Sequence, residues 1–183
     1  MKTRAFSLIE LLTVVAVLTL LFVLLTPAIN SIAAASGITQ GGNLFFGQIE
    51  LARQLAEVRN RTIEVRILKK NGDPNFTAMQ LWWPTEAQPA SKPVILPQGT
   101  LLNESLSPWL VGLVSGTMPI GGAWAGATYL AFKIRPSGAI ERPAGTDRKN
   151  LFLTISAREE PTPSNYVTIQ VNPDTSRPIL YRP

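Results

Sequence analysis

The stretch LFFGQIELARQLAEVRNRTIEVRIL, from Leu44 to Leu68, changes its period part-way along. Phe45, Ile49, Ala52 and Ala56 recur at spacings of 4, 3 and 4 and so line one face of an α-helix. Leu44, Leu51, Leu55 and Val58 are expected to broaden that face. Glu50, Arg53, Gln54, Glu57 and Arg61 lie mostly elsewhere, with Glu50–Gln54 and Glu57–Arg61 as i,i+4 neighbours. After Asn60 the period falls to two. Ile63, Val65 and Ile67 alternate with Glu64 and Arg66, which predicts a strand with one buried face. An amphipathic helix running straight into such a strand needs a sheet to pack on.

Downstream, KKNGD supplies a turn and FTAMQLWW reads as the returning strand of a hairpin. Pro, Ser and Gly punctuate the chain from Pro84 to Gly99, around one short apolar run, PVILP. WLVGLVSGTMPIGGAWAGAT carries no charge and many glycines, and reads as a long loop. YLAFKIR, LFLTISA, YVTIQV and PILYR predict four further strands with turns between them. The expected fold class is α+β: a long N-terminal helix laid on an antiparallel sheet.

Upstream lies FSLIELLTVVAVLTLLFVLLTP, Phe6 to Pro27. Its apolar part, Leu8 to Leu25, would span roughly 27 Å as a helix, close to bilayer thickness. Lys2 and Arg4 precede it, which places the N-terminus in the cytoplasm and the remainder outside. Gly37, Gly41 and Gly42 are expected to interrupt the helix beyond the membrane. Glu10 is the anomaly, because a carboxylate within a membrane helix costs several kcal/mol unless it is paired or neutralised. Cleavage between Ala5 and Phe6 would create a cationic Phe6 amine, with Glu10 at i+4 on the same helix face. The amine of a neighbouring subunit could serve equally, and a headgroup position for Glu10 would need no partner. An ordinary secretory signal cut near Ala33-Ala34-Ala35 competes, but its apolar run would be too long and would contain Glu10.

The 183 residues allow one ordinary domain besides the membrane segment. The formal charge is +5, falling to +3 from side chains if Lys2 and Arg4 are removed (5 − 2). No Lys/Arg block follows, so nucleic acid is not expected as a partner. Cysteine and histidine are both absent. That excludes disulfides, Cys- or His-ligated metals, and Ser–His or Cys–His catalysis. No S-x-x-K motif supplies a lysine base either.

RAFSLIELL resembles the class III signal cut by prepilin peptidase in type IV pilins and type II secretion pseudopilins. Phe6 and Glu10 match the family's first and fifth mature positions, and Pro27 falls where a kinking proline is common. Ala5 departs from the usual Gly. LARQLAEVRNRTIEVRI and FKIRPSGAI resemble the minor pseudopilin H group through Ala52, Arg53, Ala56, Arg59 and Asn60. Over nearly the full length, RQLAEVRNRTIEVRI, AMQLWWP, LPQGT, FKIRPSG and the terminal YRP are similar to the Verru_Chthon cassette protein D family. Ser176, in PDTSRP, stands where such chains often have Gly.

The resemblance implies a leader at 1–5, a transmembrane and assembly helix at 6–36, and a pilin-like periplasmic domain at 37–183. It implies cleavage after Ala5, N-methylation of Phe6, and assembly through Glu10 and Pro27 into a type II secretion or type IV filament as a minor, structural subunit. The implied partners are prepilin peptidase, other pilin or pseudopilin subunits, the inner-membrane assembly platform and membrane lipid. The protein would be single-pass in the inner membrane before assembly. No enzyme activity, catalytic residue, metal or cofactor is expected. The alternative is a membrane-anchored envelope binding protein, DNA-binding in one version, that never enters a filament.

Within the domain, adjacent Trp82 and Trp83 must face opposite ways along a strand, so one is expected in the core and the other either exposed at a partner contact or buried under the long loop. Arg177 and Arg182, with Arg135 and Arg142, are the candidates for a nucleic-acid contact. Glu159, Glu160 and Asp174 lack calcium-loop spacing and read as a solvated turn. The Gly112–Gly126 stretch lacks the Lys-Ser/Thr ending of a phosphate loop.

Overall fold

A computed structural model describes residues 8–119, 122–141, 151–157 and 159–182, apart from the side chains of residues 24–34. Ala5 and Phe6, the Pro27 side chain and Arg142 therefore lie outside the described residues. The chain forms two compact units, Met1–Ala35 and Ser36–Pro183.

In the first unit the backbone is helical from Leu8 onward, as part of α1 (Leu8–Arg59). Every described side chain from Leu8 to Val23 is exposed, and Glu10 is the only ionisable group among them. Among the described residues no helix is long and apolar enough to cross a membrane.

The second unit is α+β, and both of its sheets are antiparallel. The larger holds β1 (Ile63–Lys69), β2 (Ala78–Trp83), β3 (Gln88–Pro89), β4 (Val94–Ile95), β6 (Val114–Thr117), β7 (Thr128–Ile134) and β8 (Ile140–Glu141). Its order is β3-β2-β1-β7-β6, with β4 also on β2 and β8 on β7. The smaller has the order β11-β10-β9-β5, from β5 (Leu101–Asn103), β9 (Phe152–Ser156), β10 (Tyr166–Val171) and β11 (Pro178–Tyr181). The β1–β2 hairpin turns at Gly72, whose φ of 82° suits a residue without Cβ.

One core joins the helix to both sheets. Phe45, Ile49, Ala52 and Ala56 are buried with Ile63, Val65 and Ile67 of β1, Phe132 and Ile134 of β7, and Leu153 and Ile155 of β9. Leu51 and Val58, expected on that face, are instead exposed, because the core reaches only the narrower Phe45–Ala56 stripe. The glycines do not break the helix. α1 runs through Gly37, Gly41 and Gly42, and at all three a Cβ would meet side chains of the domain. A Cβ on Gly41 would lie 3.0 Å from Leu96, and one on Gly42 only 2.6 Å from Val167 of β10.

The helix ends at Arg59, so Arg61 lies beyond it and pairs with Glu86 rather than Glu57. Arg53 pairs with Glu50 at 2.5 Å and Glu57 at 2.7 Å on the same helix. Its hydrogen bond holds the Glu50 carboxyl below its ordinary value of 4.5, partly offset by desolvation. A depressed carboxyl contributes stability above its unfolded pKa and loses it as pH falls through the folded value. Glu50→Gln is therefore expected to cost about 0.5 kcal/mol at pH 7. In acid unfolding titrations the difference should begin to shrink as pH falls below 4.5 and vanish only below the lowered folded value.

The stretch read as one long loop is more ordered than expected. Residues Pro108–Gly112 form a 3-10 turn, and β6 pairs with β7 from Val114↔Ala131 to Thr117↔Thr128. Its glycine is part of the reason: Tyr129 of β7 lies across Gly116, where any Cβ would fall 2.5 Å from the phenol oxygen. At the final turn Ser176 takes φ 52° and is buried. Its hydroxyl donates to the Gly138 carbonyl and its N–H to the Asn172 carbonyl, so a serine is held where glycine would have been the unstrained choice.

Candidate functional site

Alternation along β1 predicts a wet second face. The structure buries that face as well: Glu64 is 8% exposed and Arg66 7%. The register explains how. Glu64 lies opposite Trp82 of β2, and Leu68 opposite Tyr129 of β7. Arg66, between them on the same face, is the diagonal neighbour of both aromatics. Its guanidinium carbon sits 4.1 Å from the Trp82 ring centre and 4.2 Å from that of Tyr129. Arg66 Nε donates to Glu64 Oε1 at 2.5 Å, and Nη1 reaches the Met118 sulfur at 3.5 Å. A cation stacked between two rings and bonded to its own carboxylate tolerates burial that neither charge would tolerate alone.

A short loop roofs this layer. Met118 N–H donates to the Ala127 carbonyl and Gly126 N–H to the Met118 carbonyl, at 2.8 and 3.3 Å. The closure brings Met118, Trp124 and Ala127 onto Leu68, Ala78 and Trp82. Beside it opens a cavity of about 530 Å³ whose lining includes Gln80, Trp82, Lys92, Ile95, Met118 and Trp124. Lys92 is exposed and is the only ionisable residue among the described residues that line it. Gln80 is fixed by donating from Nε2 to the Ser91 carbonyl at 2.9 Å. Ser91 Oγ in turn accepts the Leu81 N–H at 3.1 Å, closing the β2 edge between its short pairings with β3 and β4. This cavity was not legible in the sequence, since no motif links Lys92 to Trp124.

Trp82 and Trp83 do face opposite ways. Trp82 is buried under the roof and Trp83 is half-buried against the main core. Trp83 also lines a polar hollow with Leu55, Val58, Arg59 and Glu86. The arginines are dispersed. Arg182 Nη1 donates to Thr39 Oγ1 of α1 at 2.6 Å, Arg177 is exposed, and Arg135 pairs with Glu141 at 3.2 Å. Glu159, read as part of a solvated turn, works as a cap. Its carboxylate accepts the N–H groups of Glu104 and Ser105 at 3.0 and 2.8 Å. Among the described residues no group of His, Cys, Asp and Glu could hold a metal ion.

Compared with known protein families, characterised proteins and solved structures, the chain gives no significant match.

Proposed function

We propose that this chain is a minor pilin- or pseudopilin-like subunit of a type II secretion or type IV filament. The observation that carries the reading is the helix itself. It begins with an apolar collar, Leu8–Val23, whose side chains are all exposed and whose only charge is Glu10. From Phe45 to Ala56 the same helix is built into an α+β domain. A segment apolar on every side needs a cover of lipid or of like helices. A subunit held first in the inner membrane and then in a filament would use both in turn.

In this reading the leader ends at Ala5, and the freed Phe6 amine is neutralised by Glu10, one helical turn on, in the same subunit or the next. The pair then enters lipid at far lower cost than either charge alone. Pro27 lies in the assembly segment and the domain faces the periplasm. The work is mechanical and structural, without catalysis. Prepilin peptidase, the assembly platform and neighbouring subunits are the partners.

The test is the mature N-terminus. Intact mass and N-terminal sequencing of protein from peptidase-bearing cells should show Phe6 as the first residue, carrying a methyl group. Peptidase-lacking cells should retain the leader. A chain that keeps Met1 in the presence of peptidase, or that starts at Ser36, overturns the reading.

A further inference from the structure

We infer that the cavity beneath Trp124 is a binding site for a small amphipathic carboxylate: an apolar body with one anionic end. Three features specify this class. First, the volume of about 530 Å³ lies in the range that holds a small organic ligand. Second, the walls are apolar: Trp82, Ile95, Met118 and Trp124, with prolines between them. The floor is rigid, because the Trp82 ring is already stacked on Arg66. Third, the charge is one-sided. Arg66, behind the floor, is matched by Glu64, whereas among the described residues of the lining no carboxylate accompanies Lys92. A carboxylate meets an ammonium there, and a cationic ligand meets repulsion.

The same geometry decides against a peptide docking as an added strand. The β2 edge is occupied along its length, by β3 at Trp82 and Trp83, by β4 at Ala78 and Met79, and by Ser91 at Leu81. What remains open is the cavity itself, which takes a compact ligand end-on.

The experiment uses the full chain in detergent solution and three matched probes: 4-phenylbutyrate, 4-phenylbutanamide and 4-phenylbutylammonium. Tryptophan fluorescence reads binding, since Trp82 and Trp124 line the cavity. The carboxylate should give a saturable change and bind about threefold to fivefold more tightly than the amide, as expected for one partly exposed ion pair. Lys92→Gln should erase that advantage. Lys92→Glu should reverse the order, so that the ammonium probe binds best. Trp124→Ala should weaken all three probes at least tenfold. A preference that inverts with the charge at an exposed position cannot arise from misfolding or from partition into detergent. No saturable change with the carboxylate, or an order of probes that ignores the Lys92 substitutions, overturns the proposal.

Discussion

Arg66→Ala is expected to destabilise the Ser36–Pro183 unit by about 3 kcal/mol, the toll of breaking a buried ion pair by removing one member. The loss is larger than a missing contact. Glu64, 8% exposed, would be left inside the sheet without its cation, and the Trp82 and Tyr129 rings would face an empty slot. Replacing both members separates these causes. Glu64→Gln with Arg66→Met leaves no stranded charge and fills the slot with a flexible side chain, so it should cost only about 1 kcal/mol. Denaturant unfolding in detergent solution, followed by tryptophan fluorescence, gives both values. If the single variant proves no worse than the double, the pair is not stabilised by the enclosure described here.

That layer also marks where sequence reading stopped. Alternation found β1, β7, β9 and β10, because Val, Ile and Phe at every second position have one physical cause, a sheet face turned to the core. The helix stripe Phe45–Ala56 was legible for the same reason at period 3.6. The second face of β1 was not. Glu64 and Arg66 look like solvent-facing residues until the register sets Trp82 and Tyr129 beside them, 16 and 63 positions beyond Arg66 (82 − 66; 129 − 66). Burial here comes from pairing across strands, which periodicity within one strand cannot express. β6 escaped for a different reason. Val114–Thr117 has no apolar alternation and is exposed at three of its four positions; its pairing rests on backbone bonds and on the space Gly116 leaves for Tyr129. The candidate cavity inherits both difficulties, since its floor needs the register and its roof needs the loop after β6.

The glycines of α1 give the second large effect, and they test packing against propensity by sign. Helix propensity alone predicts that Gly→Ala stabilises by about 1 kcal/mol at any interior helical site. Gly47 has open space within 4 Å of its would-be Cβ, so Gly47→Ala should show that gain. Gly42 should do the opposite. Its Cβ would fall 2.6 Å from Val167 and 3.2 Å from Leu180, side chains of β10 and β11 against which the helix lies. Overpacking of that kind costs about 1–3 kcal/mol, enough to outweigh the propensity gain. Gly42→Ala is therefore expected to destabilise by about 1 kcal/mol, and Gly42→Leu, which must displace β10, by about 3 kcal/mol or more. Val167 is fully buried, so Val167→Ala alone leaves a cavity and costs about 2 kcal/mol. Combined with Gly42→Ala it should cost less than the two single changes added together, because the new methyl enters the space just vacated. Equal stabilisation at positions 42 and 47 would mean that the helix does not touch β10 as described, and that Gly42 serves only to loosen the chain.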